Sequence, residues 1–494
     1  MKFIKYTLSF SFATLISRVL GYIRDLVIAY TFGVSGLTDA FFIAWRLPNM
    51  FRQILGEGSL NAVFVPLFKK LEKENTDVHR FTNSIFTYLS ITIFVLTAVF
   101  IIFAPYIATI IAPGFVGKEF FDDTVSIIRL VFPYIILVSW VAFFMALLNI
   151  KGIFFLPAFT PALLNISFIF SAIFLSQYID IYALVVGAII GGVLQVAILI
   201  KPVFRLYKIR PLLFFDENIK LFFKRLLPTI ASFGVTQVSF IVDTVIASMV
   251  MFGAVSYLYY ANRLLQLPLG IFGIGLGNAV LVSMSEYSLE KDKEKIEKEL
   301  TTAVKLAFII SIPASIGLIL LSHQIIDILF FRGKFSLEDL RQTSLALIGL
   351  SIGLVAVILQ KPLKSVFFSI EDVKTPLYAT FVGVIFSIVC ALFFVFVFDL
   401  GVFGLALATS VNYFTTVIYL YMALPVKIIV KDTLKSVYKS IIAVSVMTVL
   451  IEAVKYYLQE SLIIVVISIA IGSAVYFLML YILKESSLKL IFKR

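Results

Sequence analysis

The length of its uninterrupted apolar runs constrains this chain most. Residues 89–112 read LSITIFVLTAVFIIFAPYIATIIA, without one charged side chain. A helix needs about 20 apolar residues to cross a bilayer. The composition points the same way: 61% of the 494 residues are hydrophobic and 14% are charged, with a mean hydropathy of +1.06. Soluble domains are nearer half apolar and a quarter charged. One water-soluble core would leave far too much apolar surface in water. A β-barrel would show short segments of alternating polarity, and these runs are continuous. The expected fold is an all-α polytopic membrane protein.

Fourteen spans are expected, over roughly 6–32, 37–66, 82–112, 124–150, 157–177, 181–203, 219–250, 254–287, 300–322, 339–369, 375–398, 401–424, 436–458 and 461–483. With the N-terminus inside and strict alternation, about thirty Lys and Arg fall on inside segments and about six outside. One missed span midway would invert everything after it. The bias therefore supports an even span count, with both termini cytoplasmic. It also accounts for the net charge of +12 without nucleic acid. Cys390 is the sole cysteine, so no intrachain disulfide forms. Lys2 and Lys5 precede an apolar stretch, but Arg18, Arg24 and Asp25 interrupt it, and no small-residue cleavage site follows. It reads as a retained first helix.

An internal repeat runs through the sequence. IRDLVIA (23–29) resembles IVDTVIA (241–247), FFIAWRL (41–47) resembles LYYANRL (258–264), and GEGSLNAV (56–63) resembles GIGLGNAV (273–280). Six helices lie between the copies, so both copies have the same orientation. Two parallel, pseudo-symmetric six-helix lobes are expected. The first covers 1–210 and the second 211–428. Two extra C-terminal helices occupy 429–494.

Five cations remain outside the loop count: Arg18, Arg24, Arg46, Arg52 and Arg263. All are arginines within spans, and four lie in the first two helices. An arginine at the bilayer centre costs about 3 kcal/mol or more. Together with Asp25, Asp39 and Glu57 they are expected to line a hydrated interior cavity. Arginine binds phosphate through a planar, permanently charged fork. Cations that outnumber their acids suit a ligand with two or more phosphate charges. The plainer alternative is that Arg24 pairs with Asp25 or Asp39, and Arg46 with Glu57, simply to hold helices together. Arg18 and Asp25, seven apart, share a helix face. Pro48 is expected to kink or break the second helix, and Gly56 and Gly58 to loosen it further. No nucleotide-binding loop is present, and the outer loops carry no catalytic constellation. The chain reads as a transporter, not an enzyme.

SRVLGYIRDLVIAYTFG (17–33), TDAFFIAWRLPNMFRQILGEGSLNAVFVPLF (38–68) and YYANRLLQLPLGIFGIGLGNAVL (259–281) resemble the MurJ/MviN lipid II flippases. These belong to the multidrug/oligosaccharidyl-lipid/polysaccharide exporter superfamily. The resemblance implies a bacterial inner-membrane flippase that moves the undecaprenyl-diphosphate-linked peptidoglycan precursor outward by alternating access. The partners it implies are lipid II and membrane lipids, with cell-wall synthesis proteins as further candidates. Arg18, Arg24, Asp39, Arg52 and Arg263 stand where the family has functionally important charges, with Asp25 beside them. The lipid tail would lie in a groove framed by the last two helices. Gln53 replaces a second arginine that the family often carries. Asp243 matches the first ligand of a sodium site found in some members, but the eleventh span offers only Ser387. No cofactor is expected, and the membrane potential is a candidate energy source. The competing readings are an exporter of another polyprenyl-diphosphate glycan, of the O-antigen type, and a drug exporter of the same superfamily.

Overall fold

The computed structural model describes residues 2–55, 59–289 and 292–488. Every element among the described residues is helical. The first half holds α1 (Lys2–Phe32), α2 (Gly36–Ile54), α3 (Leu60–Lys73), α4 (Val78–Ile102), α5 (Ala104–Ile111), α6 (Phe121–Val131), α7 (Tyr134–Ile150), α8 (Phe155–Phe174), α9 (Ser176–Ile179), α10 (Tyr182–Leu206) and α11 (Glu217–Val250). The second half holds α12 (Ala254–Pro268), α13 (Ile274–Leu289), α14 (Lys293–Leu320), α15 (Ser322–Phe330), α16 (Leu337–Ile352), α17 (Leu354–Ser369), α18 (Lys374–Leu392), α19 (Gly401–Met422), α20 (Val430–Tyr457) and α21 (Ser461–Ile482).

The helix boundaries follow local chemistry. Ser35, Asp77, Asp216, Asp292 and Ser336 each cap a helix by accepting from a backbone N–H of its first turn. Ser336 and Asp339 form a reciprocal capping box. Pro133 stands at the junction of α6 and α7, where a chain without an N–H cannot continue the ladder. A wide π-helical turn at Leu269–Gly273 separates α12 from α13.

Eleven helical stretches among the described residues are long and apolar enough to cross a membrane. Several join two helices, as in Phe121–Ile150 and Leu337–Ser369. The three other expected spans are also helical, as α1, α2 with α3, and α11. These spans carry the buried carboxylates Asp25 and Asp39. Large apolar side chains cover the outer surface, among them Phe94, Val95, Phe381 and Ile469. Tyr178, Tyr456 and Tyr457 stand exposed near helix ends, where amphipathic rings anchor at a membrane interface.

One difference from the sequence reading stands out. Helix α2 runs unbroken through Pro48 to Ile54. A proline removes one ladder bond, and close packing of α2 against α6 and α7 holds the helix together across the gap. Lys361 and Lys364, counted on the inner side, lie inside α17, within the span expected at 339–369. Lys361 is eight residues from the helix end, about 12 Å along the axis.

The chain forms two compact units. The first comprises residues up to Val255 together with Gly333–Phe335. In it α8 packs between α1 and α10, and α11 packs against α2 and α3. The short insert is clipped to the end of α1. Lys334 donates its backbone N–H to the Tyr30 carbonyl at 2.9 Å. Gly33 and Gly333 both have positive φ at this crossing, and a Cβ on either would strike the opposite strand's backbone oxygen.

The second unit comprises Ser256–Arg332 and the chain from Ser336 onward. Helices α14, α16, α17 and α19 pack together, and α20 and α21 lean on α14 through Ile309, Val444, Met447 and Tyr476. The Tyr476 hydroxyl donates to the Ile309 carbonyl at 2.7 Å. At the far end of the same pair, buried Glu485 accepts from Ser436 Oγ at 2.9 Å and pairs with Lys439 at 3.2 Å.

Candidate functional site

The charged residues of the first unit are built into three neighbouring arrangements. The first centres on Arg24 in α1. Its Nε and Nη2 donate to Asp25 Oδ1 at 2.9 and 2.6 Å, and its Nη1 donates to Asn165 Oδ1 at 3.1 Å. Asn165, from α8, is itself fixed by donating from Nδ2 to the Ser17 carbonyl at 3.0 Å. The guanidinium lies 5.6 Å from the Phe168 ring centre. Asp25 is fully buried, and the Arg24 side chain is 12% exposed. A charge buried this deeply is tolerable only with its partners in place.

An aromatic group extends the site. Trp45 of α2 meets Phe168 edge-on at 5.2 Å and Tyr134 at 5.0 Å. The Tyr134 hydroxyl donates to Gln195 Oε1 at 3.4 Å, and both Arg24 and Arg52 lie within electrostatic reach of it. Arg52 stands in the last turn of α2, at the negative end of the helix dipole. Its Nε donates to Asn49 Oδ1 at 3.0 Å.

The second arrangement joins α2 to α11. Arg46 donates from Nε to Thr244 Oγ1 at 3.2 Å and stacks 5.5 Å from the Phe240 ring centre. Its charge also reaches Asp243, the neighbour of Thr244. Among the described residues, no group of three or more His, Cys, Asp and Glu is arranged to hold a metal ion.

The third fixes a turn. Asp39 lies in the first turn of α2, at the positive end of that helix's dipole. It is fully buried, and its Oδ2 accepts the Gly253 backbone N–H at 2.7 Å. Asp39 thus ties the turn that follows α11 to the start of α2.

The remaining candidates stand apart. Arg18 is exposed on α1 and has no hydrogen-bond or ion-pair partner among the described residues. Arg263 is half-buried on α12, in the second unit. Glu57, Gly56 and Gly58 lie outside the described residues.

Asn165, Gln195, Tyr134, Trp45 and Thr244 were not singled out from the sequence. Asn165 and Gln195 did carry a signal, as lone amides in the apolar spans LLNISFIF and GGVLQVAIL. An amide in a membrane helix needs a partner in another helix.

Comparison with known proteins gives a consistent result. A family described as "Lipid II flippase MurJ" matches residues 28–475. A protein of Aquifex aeolicus (strain VF5) named "Probable lipid II flippase MurJ" is 37% identical over 489 residues, covering 97% of this chain and 94% of the relative. A solved structure, "Lipid II flippase MurJ, inward closed conformation", superposes with a TM-score of 0.84 at 30% identity, covering 96% of this chain and 98% of that one. An inward-facing multidrug transporter of the MATE family, at TM-score 0.69 and 14% identity, covers 82% of this chain and 93% of its own. At that identity it speaks to the fold alone.

Proposed function

Because this chain belongs to the MurJ family of lipid II flippases, we propose that Arg24 and Arg52 receive the diphosphate of lipid II during its passage. The protein is a multi-pass membrane transporter without covalent chemistry, a lipid II flippase of the bacterial inner membrane. One observation carries the residue-level reading: Asp25 and, from α8, Asn165 hold the Arg24 guanidinium in a fixed pose. A planar fork held this way suits the equatorial oxygens of a phosphate.

The other roles in this reading are distinct. Asp25 and Asn165 orient Arg24. Arg18 and Arg263 provide further cationic contacts. Arg46 with Thr244, and Asp39 with Gly253, hold α2 in register with α11. Asp243 lies within electrostatic reach of Arg46, and the eleventh span adds only Ser387 as a further ligand for a sodium ion. The two repeat-related lobes, 1–210 and 211–428, would alternate access, while 429–494 frames the lipid tail. Both termini lie in the cytoplasm in this reading, as the loop charges require. A potential negative inside drives a net anion outward by about 2.3 kcal/mol per charge per 100 mV.

The test is complementation of a bacterium depleted of its own lipid II flippase, reading lipid II exposure with an externally added toxin. The wild-type chain should restore growth and exposure, and Arg24→Ala and Arg52→Ala should restore neither. Full rescue by both variants would remove the phosphate role. An inserted wild-type protein that leaves lipid II inside would redirect the search to another polyprenyl-diphosphate glycan.

A further inference from the structure

Helix α17 has two faces of opposite character. Leu359 and Leu363 line an apolar cleft of about 250 Å³ together with Val304, Phe308 and Val417. The other face carries Lys361, Lys364 and Ser365, which fall within one sector of the helix. It packs against α13 and α18. Ser365 Oγ donates to the Gly277 carbonyl at 2.9 Å. A Cβ on Gly277 would lie 3.0 Å from Lys361 Cβ, so α13 comes close at this point. Lys364 Nζ stands 3.5 Å from Thr380 Oγ1, at the limit of a hydrogen bond.

Both lysines are half-buried within an apolar span, Leu337–Ser369. Neither forms an ion pair among the described residues, and the charge that acts on Lys364 is that of Lys361 itself. Two like charges three residues apart repel, and a cation inside a membrane span is costly. Such groups in a membrane face a partner or a ligand. The repeat sharpens this. GEGSLNAV in the first copy has Glu57 where GIGLGNAV in the second has Ile274, and Leu60 where the second has Gly277. The second copy thus lacks the acid and opens its backbone beside Lys361.

We propose that Lys361 and Lys364 form an additional anion station, in the second unit, for the diphosphate of the lipid-linked substrate. This rests on the flippase reading above. The two ammonium groups would share one diphosphate, which cancels their mutual repulsion. Lysine suits a station that releases its cargo, because its ammonium is a mobile, strongly hydrated point charge and not a rigid fork.

The experiment uses the full-length protein in nanodiscs, with binding read by native mass spectrometry. The probes are undecaprenyl diphosphate, neutral undecaprenol and phosphatidylglycerol. K361Q/K364Q should weaken undecaprenyl diphosphate about tenfold or more and leave undecaprenol unchanged. K361R/K364R should bind within about threefold of wild type, since charge and hydrogen bonding are kept. If the double Gln variant proves unstable, K361Q and K364Q singly should each show part of the loss. Diphosphate binding by the Gln variants within about twofold of wild type overturns the station and leaves the flippase reading standing. Loss of phosphatidylglycerol binding alone also overturns it, by showing a general lipid site. Failure of the wild type both to bind the diphosphate and to expose lipid II removes the flippase reading, and the station with it.

Discussion

Arg24 in the first unit and the Lys361–Lys364 pair in the second both place cations inside membrane helices, and they are held in opposite ways. Arg24 has a buried carboxylate, an amide from another helix and an aromatic face around it. The lysines have a distant hydroxyl and each other. The first arrangement trades mobility for geometry, as a site that must recognise a shape does. The second keeps its charge loosely held, as a site for transient contact does. The difference shows that intramembrane charge does not define a role until its neighbours are known.

The largest effect that would break this comparison is at Arg24. Arg24→Ala strands Asp25 as a buried charge and should cost about 3–5 kcal/mol of stability, seen as a lower melting temperature of the purified protein. Arg24→Ala with Asp25→Asn should recover most of that stability and none of the lipid II exposure. Recovery of both would make Arg24 a structural pair and nothing more. Asp39→Ala should cost about 1–3 kcal/mol, because the buried Gly253 N–H loses its acceptor. Its melting temperature checks this.

A smaller and sharper effect is expected at Asn165. Asn165→Leu keeps the volume and removes the amide that aims Arg24. Transport should fall about tenfold while the melting temperature shifts by only a few degrees. Unchanged transport would mean that Asp25 alone positions the guanidinium.

The smallest effect is a pH dependence at the end of α21. Burial pushes the Glu485 carboxyl up, but the Ser436 hydroxyl, the Ser487 N–H and the Lys439 ammonium outweigh it and hold the group below the usual range. A depressed carboxyl stabilises the fold above its unfolded value, near pH 4.3, and loses that contribution as pH falls through its folded value. Glu485→Gln should therefore lower the melting temperature at pH 7 by roughly 1 kcal/mol equivalent. The gap to wild type should narrow as pH falls below the unfolded value of about 4.3 and through the lower folded value.

The helical, membrane-spanning character was legible because long apolar runs have few other physical outcomes. The internal breaks were not. Phe103 and Gly353 interrupt helices within single apolar runs, and nothing in the hydropathy marks them. Arg24 and Asp25 were readable as a candidate pair because they are adjacent in sequence. Asn165 was not, because it meets Arg24 only after 141 residues of chain have folded back. Lys361 and Lys364 fell inside the expected span 339–369, where they were counted only for the inner-side charge bias.

The clip between Tyr30 and Lys334 has a consequence for synthesis. The first unit is not finished when Val255 leaves the ribosome, because Gly333–Phe335 still has to arrive. That piece follows roughly eighty residues later, a wait of about 4–16 s at 5–20 residues per second. During that interval the end of α1 lacks the partner it has in the finished protein. A nascent chain stalled before residue 333 should be cut by protease near Tyr30, and one stalled well beyond 335 should be protected there.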